Sequence, residues 1–143
     1  MKIDYLQALK RIPEARGAWI LHGQEPLLEQ NLLDAFRKSW QQQEVERQRY
    51  DISSVSDWKN VFNALNSLSL FSQQLAIEVH GNIKPDANGL KQLKSYIQHN
   101  ETNLLLIVLP KQDSSSLKSA FFQVVEANGV VVALTANYPQ DRQ

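Results

Sequence analysis

Gly23-Gln24-Glu25-Pro26-Leu27-Leu28-Glu29-Gln30 follows a short apolar run, Ala18 to Leu21. A strand-to-helix turn of this kind is where an α/β fold holds a phosphate on backbone N–H groups and a helix N-terminus. A working phosphate loop also needs glycines for close backbone approach, a lysine for the β/γ-phosphates and a Ser/Thr hydroxyl for magnesium. Only Gly23 meets that requirement, and Glu25 puts negative charge where the phosphate would sit. A later run closes Ile77-Glu78-Val79-His80-Gly81, without the acidic pair that holds magnesium and polarises a water. Positioned charge is nearly all of phosphoryl-transfer catalysis, so ATP hydrolysis is not expected and no cofactor is implied. His22, His80 and His99 lack a second ligand at i+3 or i+4, so they read as polar residues at element ends and no metal site is expected. The chain has no cysteine, which removes thiolate nucleophiles, disulfides and Cys-based zinc sites. No Ser/His/Asp grouping can be drawn, and no catalytic residue is expected.

The segment that plain core packing does not explain is Asn66-Ser67-Leu68-Ser69-Leu70-Phe71-Ser72-Gln73-Gln74. Small serines separate Leu68 from Leu70 and Phe71, between a helical pattern and a strand pattern. Two readings stand. The apolar residues close the local core, or Leu70 and Phe71 project as adjacent anchors for a partner's pocket. Burying each anchor contributes roughly 1.5–3 kcal/mol, the scale of an interface hot spot. Trp19, Trp40 and Trp58 lie within or beside apolar faces and read as core or rim rather than as base-stacking platforms.

Hydrophobic period switches repeatedly between strand-like runs and helical spacing. The strand runs are Ala18 to Leu21, Arg47 to Ile52 (more polar, hence an edge), Leu75 to Val79, Leu104 to Leu109 and Val130 to Leu134. Between them lie helical faces. Leu28, Leu32, Ala35, Phe36 and Trp40 follow Pro26, a residue suited to a first helical position. Trp58, Val61, Phe62 and Leu65 follow a cap at Ser56 or Asp57; Leu90, Leu93 and Ile97 mark the next face. Leu117, Ala120, Phe121, Val124 and Val125 follow caps at Ser114 to Ser116, and Asn128-Gly129 ends that helix with a left-handed residue. One more helix is expected over Lys2 to Lys10, before Pro13. Strands alternating with helices predict a five-stranded, mainly parallel sheet covered on both faces.

With 143 residues, 43% apolar and 21% charged, the chain fits one globular domain. Lys plus Arg equals Asp plus Glu at 15 each, which lowers the odds of direct nucleic-acid binding. Met1 to Ala8 lacks the apolar stretch of a signal peptide, and Leu104 to Leu109 is too short to span a bilayer, so no membrane partner is expected. A cytoplasmic location is expected. The polar tail Asn137 to Gln143, with Pro139, reads as a linker.

Asn66 to Phe71 resembles the clamp-binding motif of the delta subunit of the bacterial DNA polymerase III clamp loader, a Gln and a medium apolar residue followed by Ser-Leu-Phe. Ser69-Leu70-Phe71 matches outright, Leu68 takes the medium apolar place, and Asn66 stands where glutamine is more usual. Gly23 to Leu28 is similar to the family's degenerate nucleotide loop, Gly-x-[DE]-x-[FLY]-L, formed here by Gly23, Gln24, Glu25 and Pro26 with Leu27-Leu28. Asp57-Trp58 with Phe62, and Leu104 to Leu109, fall in the family's order. The resemblance implies a three-layer AAA+-like domain over residues 1–136, with 137–143 starting a linker to helical and collar domains. It implies binding of the beta sliding clamp through Leu68, Ser69, Leu70 and Phe71, supported by Asn66 and Ser67. Gamma/tau and delta-prime subunits are partners reached through the other domains, and DNA is met only indirectly. It implies no catalysis by this subunit, although the whole holoenzyme is a DNA-directed DNA polymerase. The rival readings are a nucleotide-binding α/β enzyme, another AAA+-like adaptor and a nucleic-acid-binding domain.

Overall fold

A computed structural model describes residues 1–67, 74–99 and 102–135. Six strands form one sheet in the order β1-β6-β2-β5-β4-β3, with every pairing parallel. They are β1 (Lys2–Ile3), β2 (Gly17–Gly23), β3 (Glu46–Ile52), β4 (Leu75–Gly81), β5 (Leu104–Leu109) and β6 (Val130–Leu134). The helices are α1 (Tyr5–Arg11), α2 (Pro26–Gln42), α3 (Trp58–Ser67), α4 (Ala87–His99), α5 (Ser114–Leu117) and α6 (Ala120–Asn128). Strand alternation divides the core in two. Trp19, Leu21, Leu106 and Val132 pack against α1 and α2, with Phe36 edge-on to Trp19 at 5.4 Å between ring centroids. Ile20, Ile77, Leu105 and Ile107 pack on the other face against α3, α4 and α6, through Val61, Phe62, Leu93 and Phe121. The expected α/β class, with a parallel sheet between helical layers, is the observed one, and β3 lies at the sheet edge as its polarity predicts.

Four local expectations are corrected. The sheet has six strands rather than five, because Lys2–Ile3 is extended and pairs with Val131–Val132 instead of starting a helix. Asp4 sets that boundary. Its side chain accepts from the Gln7 N–H at 2.8 Å while the Gln7 side chain accepts from the Asp4 N–H at 2.9 Å, a capping box that starts α1 only after residue 4. Before α3, a 3₁₀ turn spans Val55–Asp57, and Asp57 accepts from the Ser53 and Ser54 N–H groups rather than capping the α-helix. The single helix expected from Ser114 is two pieces, α5 and α6. The first is capped by Asp113, which accepts from the Ser116 N–H at 2.7 Å. Gly129 is not left-handed, with φ −133°. A Cβ there would lie 2.3 Å from the Ala18 carbonyl oxygen, so close approach of the chain to β2 is what requires glycine.

Candidate functional site

The carboxyl ends of β2, β4 and β5 open on a cleft of about 490 Å³, lined by Gly23, Gln24, Glu25, Pro26 and Glu29 on one side and by His80, Val108, Leu109 and Pro110 on the other. This is where the topology would seat a nucleotide. Among the described residues its lining carries two carboxylates and no lysine or arginine, the wrong sign for a phosphate. Pro26 opens α2 and has no N–H to give, while the Glu25 side chain makes no capping bond. Gly23 has φ +146°, and a Cβ on it would fall 2.2 Å from the Leu134 carbonyl oxygen. The glycine therefore serves the β2–β6 contact, which needs it whether or not a phosphate binds. Gly23→Ala is expected to lower stability by about 1–3 kcal/mol from backbone strain alone. A thermal melt of the variant checks this, and an unchanged Tm would refute it.

The residue that sequence reasoning missed is Glu78. It stands mid-strand in β4 with no exposed surface. Arg37 from α2 holds it bidentately, Nε to Oε2 at 3.0 Å and Nη2 to Oε1 at 2.9 Å. Arg47 from β3 also donates to Oε2, and His80 Nε2 lies 3.0 Å from Oε1. Burial pushes the Glu78 pKa up. The hydrogen bonds from His80, Arg37 and Arg47, with the Arg37 charge, outweigh that and hold the carboxyl well below the usual carboxylate range. Both oxygens are engaged, so the acid on this strand serves structure and is not available as a magnesium ligand or a base. It ties α2 to the β3–β4 edge and, through His80, to the rim of the cleft. A charged residue between Ile77 and Val79 was the sequence signal, since a carboxylate in an apolar strand demands partners.

The other histidines stay apart from it. His22, at the end of β2, sits edge-on to Phe122 at 5.5 Å, and burial followed by the Lys2 charge lowers its pKa. His99 lies at the end of α4, with Nδ1 2.9 Å from the Ser95 carbonyl. Among the described residues no group of three or more His, Cys, Asp or Glu side chains could hold a metal ion. No helix among them is long and apolar enough to cross a membrane.

The flanks of the Leu-Phe segment lie at the opposite end of the sheet. Asn66, exposed, and Ser67 form the last turn of α3. Leu68, Ser69, Leu70 and Phe71 lie outside the described residues. Both flanks are held firmly. α3 buries Trp58, Val61, Phe62 and Leu65, and Trp58 Nε1 donates to the Ile83 carbonyl at 2.9 Å. On the far side, the Gln74 carbonyl accepts from the Glu46 N–H at 3.1 Å, and the Leu75 N–H donates to Asn103 Oδ1 at 2.9 Å. The structure thus sets the loop of Gly23 to Pro26 at the carboxyl edge and the two flanks of the Leu-Phe segment at the amino edge.

The family model described as DNA polymerase III, delta subunit, matches residues 19–135, from β2 through β6. No curated protein matches the chain. The matched stretch contains the cleft, Glu78 and the whole of Asn66 to Phe71, and it covers most of the 143 residues. The chain therefore belongs to the DNA polymerase III delta subunit family, a component of the clamp loader that is not itself catalytic.

Proposed function

We propose that this chain is the part of a clamp loader that grips the beta sliding clamp and helps spring the ring open. Leu70 and Phe71 enter the clamp's hydrophobic pocket as neighbouring anchors, Leu68 and Ser69 complete the motif, and Asn66 and Ser67 lead into it from α3. The observation that carries this reading is Ser69-Leu70-Phe71 within a delta-family chain, where α3 and β4 fix both ends of the segment. Opening follows from preference: a binder shifts the clamp toward an open interface only by its differential affinity for that state. Gamma/tau and delta-prime subunits are the companions, with ATP hydrolysis among them, and DNA reaches this subunit only through the clamp. The AAA+-like domain, residues 1–136, acts in the cytoplasm as an adaptor. Binding to a purified bacterial sliding clamp, wild type beside Leu70→Ala/Phe71→Ala, tests the reading. Failure of the wild type to bind its cognate clamp would return the motif to local core.

The acid-lined cleft carries a companion prediction. A ligand at a hundred times its Kd adds about 2.7 kcal/mol to the native state. Millimolar ATP with magnesium is nevertheless expected to leave Tm unchanged. A saturable rise would overturn the adaptor reading and restore a nucleotide site.

A further inference from the structure

At the carboxyl ends of β2 and β6, beside Leu117 of α5, lies a cavity of about 350 Å³ that shares only Gly23, Gln24 and Glu25 with the acid-lined cleft. His22 lines it, and so does Ala133, its neighbour in the parallel register. Strand alternation puts both side chains on the sheet face of Ile20 and Val131, the one covered by α6. Residues 130–132 of β6 are valines, but the next is alanine, and its single methyl leaves open the space beside the imidazole that a larger side chain would fill. The imidazole is what core packing leaves over. Only 9% of His22 is exposed, and among the described residues neither ring nitrogen has a hydrogen-bond partner. Ser119 Oγ is the one fully enclosed side-chain polar atom without a partner among those residues, so the His22 nitrogens still border open space, and the cavity is that space. A buried polar group left unpaired is costly, which makes an occupant that pairs it favourable.

We infer that this cavity is a binding site for a small uncharged molecule with an apolar body and a hydroxyl group, which pairs with the His22 imidazole. Burial, followed by the Lys2 charge, keeps that ring neutral at neutral pH, so one nitrogen donates and the other accepts. A hydroxyl does both and matches either tautomer. The half-buried Leu117 and Ala133, with the buried Leu134, offer the body an apolar wall. The rim carries one charge of each sign, Glu25 and Lys111. A carboxylate would therefore meet Glu25 and an ammonium would meet Lys111, and either ion would lose its water against the leucines. The volume lies within the range of ligand pockets, about 300–1,000 Å³, which are mostly apolar with a few placed polar groups. The walls are also fixed in advance. Gln112 Nε2 donates to the Pro110 carbonyl at 2.8 Å and Gln112 Oε1 accepts from Ser116 Oγ at 2.6 Å, while Leu134 lies hard against Gly23. The site is at the carboxyl edge, away from Asn66 and Ser67, and the inference stands apart from the clamp-binding reading.

Phenol and benzene, alike in shape but for the hydroxyl, test this by NMR titration of the whole chain, read at the His22 ring and the Leu134 methyls. Phenol is expected to shift both sets of signals saturably, and benzene to bind about tenfold more weakly for want of the hydrogen bond. Benzoate and benzylammonium are expected to shift neither. Ala133→Leu fills the space and should abolish the phenol shifts, whereas His22→Phe keeps a ring against Phe122 and should bind phenol no better than benzene. No saturable shift at His22 with phenol, or equal affinity for phenol and benzene in the wild type, would overturn the site. Phenol binding unchanged in a folded Ala133→Leu variant would do the same. The wild-type comparison decides the matter even where a variant fails to fold.

Discussion

Leu70→Ala combined with Phe71→Ala is expected to weaken sliding-clamp binding by at least ~3 kcal/mol, on the order of a hundredfold or more. Each side chain removed from a dry pocket forfeits roughly 1.5–3 kcal/mol of apolar burial. The pair therefore accounts for a large share of any affinity in the micromolar range, where the whole binding free energy is about 8 kcal/mol. Loss should appear mainly as faster dissociation, because short-range apolar contacts set residence time more than encounter. A fall in folded protein would mimic the effect, so the melt of the variant belongs beside the binding curve. The domain is expected to tolerate the change. The flanks are secured by the buried Leu65 and Trp58 on α3 and by the Leu75 N–H bonded to Asn103. A folded double variant that binds like wild type would show that the anchors lie elsewhere.

Glu78→Ala is expected to cost about 3 kcal/mol of stability, the low end for breaking a buried ion pair. The low end applies because Arg37 and Arg47 keep 31% and 39% of their side-chain surface exposed and can turn toward water once the carboxylate is gone. Against a typical total of about 5–15 kcal/mol this is a large fraction, readable as a lower urea midpoint with unchanged slope. Replacing all three charged side chains by apolar ones, as Arg37→Met, Arg47→Met and Glu78→Leu together, is expected to recover most of the loss, because no buried charge is then left alone. The same cluster sets the acid limb of stability. Glu78 has a folded pKa below its unfolded value of 4.5, so its contribution is complete above that pH and is lost as pH falls through and below it. His22, also shifted down from 6.5, begins a separate loss below that pH, since the unfolded chain takes up a proton that the buried ring resists. Glu78→Gln should flatten the limb below pH 4.5 and leave the one beginning near 6.5. An unchanged acid limb in that variant would remove Glu78 from the explanation.

Much of this protein was legible from residue order because its signals are local. Five strand runs, the polar edge strand and the helical faces around Phe36, Phe62 and Leu93 depend on period and burial, which neighbours in sequence already encode. The lack of a lysine or a Ser/Thr hydroxyl in Gly23 to Gln30 was equally plain, since residue types need no geometry to be noticed. Tertiary structure decided what depends on distant partners. Gly23 and Gly129 are glycines because Leu134 and Ala18 come within contact range, and neither encounter is written near them in the chain. Lys2 and Ile3 became a strand because β6 offered an edge and Asp4 delayed the helix. Glu78 found Arg37 41 positions away and Arg47 31 away, and only that meeting turned an apparent misfit in an apolar strand into the joint between α2 and the sheet edge. Backbone propensity and hydrophobic period act over a few residues, whereas close approach and charge pairing act through space. The first kind of information can therefore be read along the chain, and the second only in the folded molecule.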